Sequence, residues 1–242
     1  GFKHRGINFR VCYFKPESEL NELANEHYKQ NVCQCIRQWH YTEANRNSID
    51  MMLAVNGIPV VAIELKNQLT GQSVDDAMRQ WEYNRNPKEY AFGFNKRVLA
   101  YFACDLYNVY MTTQLNGAET VFLPFNQGSN GAGKDGGAGN PTTEDGKYVT
   151  SYFWENVLQK DKLLDILQKF ISYERSEKKK IMPDGSTKTT VSSKVIFPRY
   201  HQLDVVRKLV SHVRENGAGH NYLIQHSAGS GKSNSIAWTA YR

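Results

Sequence analysis

The chain has no apolar run long enough to cross a bilayer, so no membrane contact is expected. No signal-peptide pattern opens it. It begins at Gly1 without a methionine, which suggests a trimmed chain. Its four cysteines, Cys12, Cys33, Cys35 and Cys104, fit neither a zinc spacing nor a disulfide framework. Cys33 and Cys35 read as reduced thiols on one face of a strand, and the cysteine usage predicts a cytoplasmic protein. No internal repeat is evident, and no module that reads a base sequence. What is present is enough for a real core: 242 residues, 40% of them apolar. A net charge of +6 permits a nucleic-acid partner without establishing one.

The organising stretch is 49–66, which reads as two short strands around Asn56-Gly57. It carries Asp50 and then Glu64 and Lys66 in the order Glu-x-Lys. Residues two apart on a strand share a face, so Glu64 and Lys66 point the same way. A two-residue turn would set Asp50 across from Ile63 and turn the two acids apart. The expectation is therefore a three-residue loop of Val55, Asn56 and Gly57, or an equivalent bulge. Two carboxylates can hold Mg²⁺, with backbone oxygens and water completing the shell. Such an ion acidifies a bound water and neutralises an attacked phosphate, and an adjacent ammonium orients the water or stabilises developing charge. An ordinary hairpin with surface charges is the competing reading.

Around it, the spacing predicts a strand over 9–14 and a helix from a Ser18 cap to about Lys29. That helix would bury Leu20, Leu23, Ala24, His27 and Tyr28, with Glu26 a possible approach to the metal. A strand over 33–41 follows. After a loop at 70–73, a helix over about 74–84 has Val74, Ala77, Met78 and Trp81 on its apolar stripe. Asp76, Gln80 and Tyr83 lie on a polar one, where Gln80 and Tyr83 can steady the metal site or touch a phosphate. Strands are expected over 98–104 and 107–111, meeting near Asp105. Residues 126–146 read as a glycine-rich surface loop. Its Gly131-Ala132-Gly133-Lys134 imitates a phosphate loop without the following Ser or Thr. Residues 148–173 read as mainly helix, with Trp154 on the apolar face. Residues 174–194, with Lys178-Lys179-Lys180, read as a linker or exposed hairpin whose lysines are either a solvated face or a contact to the DNA backbone.

A second site follows. Residues 204–215 predict a helix and Asn221–Gln225 a short buried strand. His226-Ser227-Ala228-Gly229-Ser230-Gly231-Lys232-Ser233 then leads into an apolar helix, the phosphate-loop arrangement apart from His226 where glycine is usual. Backbone N–H groups of Gly229, Ser230, Gly231, Lys232 and Ser233 would cradle the phosphates of ATP. Lys232 would reach the β- and γ-phosphates, and the Ser233 hydroxyl would bind Mg²⁺. Gln202 could read an adenine edge. The chain stops at Arg242, before the later acids and arginine finger that an ATPase core needs, so by itself it is expected to turn over ATP poorly or not at all.

Several of these segments together resemble one family. They are Arg37-Gln38, Ser48-Ile49-Asp50, Asn56-Gly57-Ile58-Pro59, Ile63-Glu64-Leu65-Lys66-Asn67, Phe122 to Asn126, Gly137 to Pro141 and Tyr222 to Ser233. They resemble the N-terminal part of the restriction (R) subunit of bacterial type I restriction–modification enzymes. The resemblance implies an α/β fold: a restriction-endonuclease-like PD-(D/E)xK domain over 1–173, a connection over 174–195 and, over 196–242, the start of a RecA-like superfamily 2 translocase. Ile49-Asp50 stands where the family has Pro-Asp. It implies Asp50 and Glu64 as metal ligands and Lys66 as the catalytic residue. Gln80 and Tyr83 resemble the Gln-x-x-Tyr element of RecB-type nucleases. It further implies ATP-driven translocation of double-stranded DNA and cutting of unmethylated DNA remote from the recognition sequence. The partners would be a specificity subunit and a methyltransferase subunit that binds S-adenosylmethionine. The alternative is a superfamily 2 helicase or ATPase with a non-catalytic docking domain at its N terminus.

Overall fold

The computed structural model describes residues 2–129, 137–143, 146–181 and 187–242. Gly131-Ala132-Gly133-Lys134 lies outside them. The elements in chain order are β1 (Phe2–His4), β2 (Ile7–Phe9), α1 (Glu22–Lys29), β3 (Cys33–His40), β4 (Ser48–Val55), β5 (Ile58–Leu65), α2 (Val74–Tyr83), β6 (Ala100–Cys104), β7 (Val109–Thr112), β8 (Leu123–Pro124), α3 (Lys160–Lys169), β9 (Ser172–Ile181), β10 (Thr187–Ile196), α4 (Tyr200–Asn216) and α5 (Lys232–Ala240). Among the described residues no helix is long and apolar enough to cross a membrane.

A six-stranded mixed sheet in the order β3-β4-β5-β6-β7-β8 forms the centre. Only β5 and β6 run parallel, and α2 lies on the connection between them. All five residues of β6 are buried, as a strand covered on both faces requires. On one face Val61, Ile63, Phe102 and Met111 meet Phe125, Phe153, Leu164 and Phe170. On the other, Ala62, Tyr101 and Ala103 meet Ala77, Trp81 and Phe92. The period-two alternation along β5 thus feeds two cores and delivers Glu64 to the α2 side. Trp81 anchors the helix by donating its ring N–H to Phe102 O at 2.9 Å.

The hairpin corrects one expectation. The turn is the two-residue one, with Asn56 at φ 50° and Gly57 at φ 78°, the left-handed pair of a type I′ turn. Val55 pairs Ile58 and Ala54 pairs Pro59, but Leu53 then pairs Val61. Val60 is the extra residue of a bulge beside Pro59, which has no N–H to give to the ladder. Beyond the bulge Met51 pairs Ile63, so the next position sets Asp50 across from Glu64. The bulge does what the longer loop was expected to do, and brings the acids directly opposite.

Other departures follow from packing. The strand expected over 9–14 is replaced by a small β1–β2 hairpin that ends at Phe9. Helix α1 is capped by Asn21, whose Oδ1 accepts from Ala24 N at 3.0 Å, rather than by Ser18. Leu20 falls ahead of the helix and is exposed, as is Leu23, and only Tyr28 of the expected stripe is buried. Residues 148–173 split into a π-helical turn over 153–157 and α3, which leaves Trp154 half-exposed. Residues 221–225 form no strand, and Leu223 is 96% exposed, since no neighbouring strand among the described residues lies beside them. Asn126 and Asn140 staple the described ends of the glycine-rich loop to β7 and Tyr107. Residues from both sides of the 174–195 connection share one apolar cluster, with Phe197 packed on Phe102 and Phe125 and Trp238 on Phe170.

Candidate active site and nucleotide loop

Asp50, on β4, is held from two sides. Its Oδ2 accepts from Leu65 N at 2.9 Å and its Oδ1 from Gln38 Nε2 at 3.1 Å. Gln38 takes a left-handed backbone (φ 48°) within β3, and its Oε1 accepts from Ser48 Oγ. Glu64, opposite, is fully buried. Its Oε1 accepts from both Nε (3.0 Å) and Nη2 (2.6 Å) of Arg85, just past the end of α2. Arg85 is itself buried; its Nη2 also donates to Ser48 O, and the guanidinium packs over the Tyr41 ring. Burial raises the Glu64 carboxyl to about 8; Asp50 adds to the rise and Arg85 opposes it.

The other oxygen, Glu64 Oε2, is buried with no hydrogen-bond partner. Facing Asp50, that oxygen needs a shared proton or a cation to offset its burial. This donor set fits a hard divalent ion, which binds through one or two carboxylates and takes its remaining ligands from water and backbone. No third acid, histidine or cysteine joins them among the described residues, and Glu26 is exposed on α1.

Lys66 continues the line of β5, its N–H donating to Cys104 O at 2.8 Å. Its Nζ donates to Gln80 Oε1 at 2.6 Å, so of the polar stripe on α2 it is Gln80 that reaches the site. Asp76 instead caps the helix by accepting from Ser73 N. Tyr83 is 69% exposed at the end of α2, and no hydrogen bond ties it to the acids. Sequence reasoning missed Arg85 and the role of Gln38. An arginine in the polar run Asn84-Arg85-Asn86-Pro87 carries no mark of burial, and a strand glutamine gives no sign that it grips a neighbouring acid.

At the second site, Gly231 caps α5 with φ 81°, and a Cβ there would come 2.3 Å from Gln202 Nε2. Only glycine fits. Gln202 is buried and its amide is committed: Nε2 donates to Gly231 O at 2.9 Å and Oε1 accepts from Arg199 N. The expected adenine contact would need these bonds to open. Lys232 Nζ donates to the carbonyls of His226 (3.2 Å) and Ser227 (3.0 Å), closing the loop on itself. Ser233 is exposed in the first turn of α5, where backbone N–H groups lack helical partners.

Residues 14–127 match the family described as the type I restriction enzyme R protein N terminus. No curated protein matched the chain. The matched stretch contains the whole six-stranded sheet and Asp50, Glu64, Lys66, Gln80 and Arg85. Over those residues, just under half of its length, the chain is similar to the N-terminal region of type I restriction enzyme R proteins.

Proposed function

We propose that Asp50, Glu64 and Lys66 form a Mg²⁺-dependent endonuclease site that hydrolyses phosphodiester bonds of unmethylated double-stranded DNA. The cuts fall away from the recognition sequence. The observation that carries this reading is the bulge-set opposition of two acids, one of them buried with an unpartnered oxygen. Asp50 and Glu64 would hold the ion, which supplies Lewis acidity to the attacked phosphate. Lys66, fixed by Gln80, orients the attacking water or neutralises charge developing on the phosphate. The acids and Lys66 need only a phosphate and a metal ion, so the choice of DNA falls to a specificity subunit. A methyltransferase subunit carrying S-adenosylmethionine reports the methylation state. The phosphate loop at 226–233 belongs to an ATP-driven translocase.

Calorimetric titration of Mn²⁺ into this chain is expected to show one site, lost in Asp50→Ala. Glu64 binds a proton in the neutral range that the ion must displace, so affinity should rise with pH up to about 8. Absence of binding at millimolar Mn²⁺, or binding indifferent to Asp50→Ala, refutes the site and favours the alternative of a nucleic-acid-stimulated ATPase with a docking domain. For the motor, Lys232→Ala in the full subunit should abolish ATP turnover. Turnover at the parent rate would remove the nucleotide assignment.

A further inference from the structure

The hairpin of β9 and β10 has no role in either site. Ten residues pair ten in uninterrupted antiparallel register, a ribbon on the order of 30 Å long. Its base is anchored: Val195 and Phe197 are buried, and Thr113 Oγ1 donates to Val195 O. The described side chains from Glu174 to Ser192 are exposed.

Charge is distributed unevenly along it. The acids of β9 sit towards the base and are neutralised there, Glu174 by Lys194 at 2.9 Å and Glu177 by Arg175 at 3.2 Å. The outer half carries Lys178, Lys179, Lys180 and Lys188. The one acid beyond Glu177 is Asp184, in residues 182–186, outside the described residues. The register sets Lys180 directly across from Lys188. Lysines thus gather in the outer half of the ribbon, away from the acids at its base.

We infer that this ribbon is an arm that engages the phosphates of duplex DNA. A two-stranded ribbon fits the major groove of B-DNA, whereas the A-form RNA groove is too narrow for it. Residues 178–191 hold no aromatic side chain, so the stacking platforms of single-strand binders are missing. They also hold no arginine or aromatic anchor of the kind that dominates protein interfaces. Lysine and threonine, without base-reading amides, suit contact that is indifferent to sequence.

The inference rests on DNA being the substrate, but its test needs no cutting. Fluorescence anisotropy in EDTA, with a 30-base-pair duplex, separates binding from cutting. Lys179→Gln/Lys180→Gln/Lys188→Gln is expected to bind at least tenfold more weakly. Its dependence of log K on log salt should be shallower by about 2–3, close to one counterion per lost contact. Removing three exposed lysines elsewhere (Lys3, Lys29 and Lys162, all to Gln) should change affinity less than threefold. The single variant Lys188→Glu should leave the melting temperature unchanged, since its side chain is exposed, yet bind DNA at least tenfold more weakly. Affinity within twofold of the parent in the ribbon variants overturns the inference. So does an equal loss in the control, or a tenfold preference for single strands, duplex RNA or polyglutamate.

Discussion

Arg85→Met is expected to destabilise the chain by about 3–5 kcal/mol, the usual result of removing one partner from a buried ion pair. Glu64 would be left buried with both oxygens unpaired. Solvent cannot compensate, because the carboxylate is fully buried. Urea unfolding followed by circular dichroism measures the loss. The informative step is to repeat it with Mn²⁺. If the pocket between Asp50 and Glu64 takes a divalent ion, a ligand that binds only the folded state restores stability in proportion to the logarithm of its concentration. Millimolar Mn²⁺ should then recover more of the loss in Arg85→Met than it adds to the parent. If Mn²⁺ has no effect on the variant, the Glu64–Arg85 pair is a structural tie and the nuclease assignment is wrong. The double variant Arg85→Met/Glu64→Gln should be more stable than Arg85→Met, and should lose the Mn²⁺ response.

Lys66→Ala should reduce cleavage of unmethylated DNA by the reconstituted enzyme about 10²–10³-fold, the range found when one group that stabilises a transition state is removed. ATP turnover and translocation should continue, because the phosphate loop lies elsewhere in the chain. Lys66 is only partly buried and its side-chain partner is Gln80 alone. Folding stability should therefore change by no more than about 1 kcal/mol. Mn²⁺ binding should survive, since Lys66 is not a ligand. Cleavage at the parent rate would remove Lys66 from the chemistry, and loss of Mn²⁺ binding would mean that the substitution had disturbed the acids.

The sequence was most legible where a local rule decides the structure. Asn56-Gly57 dictated a turn, and the loop ending at Ser73 dictated a helix start at Val74. Legibility failed where a long-range partner decides. Leu20 and Leu23 fall at helical spacing, yet Leu20 lies ahead of the helix start and both are exposed. Tyr222, Leu223 and Ile224 have strand composition, yet no strand lies beside them among the described residues. At the site, Asp50, Glu64 and Lys66 could be named from type and spacing. Arg85 could not, because its burial is set by the way the chain leaves α2 and returns over Ser48 and Tyr41.

The bulge at Val60 has a consequence for how this hairpin tolerates changes of length. An odd number of residues, 51–63, separates the two acids, and a two-residue turn can close an odd span only by leaving one residue without a partner. That spare residue sits on β5. Losing it would merely straighten the strand and keep the carboxylates face to face. Losing a paired residue from β4 would instead rotate one acid to the opposite side of the pleat. Insertions and deletions here are therefore asymmetric in their effect: one strand carries slack, and the other is fixed in phase.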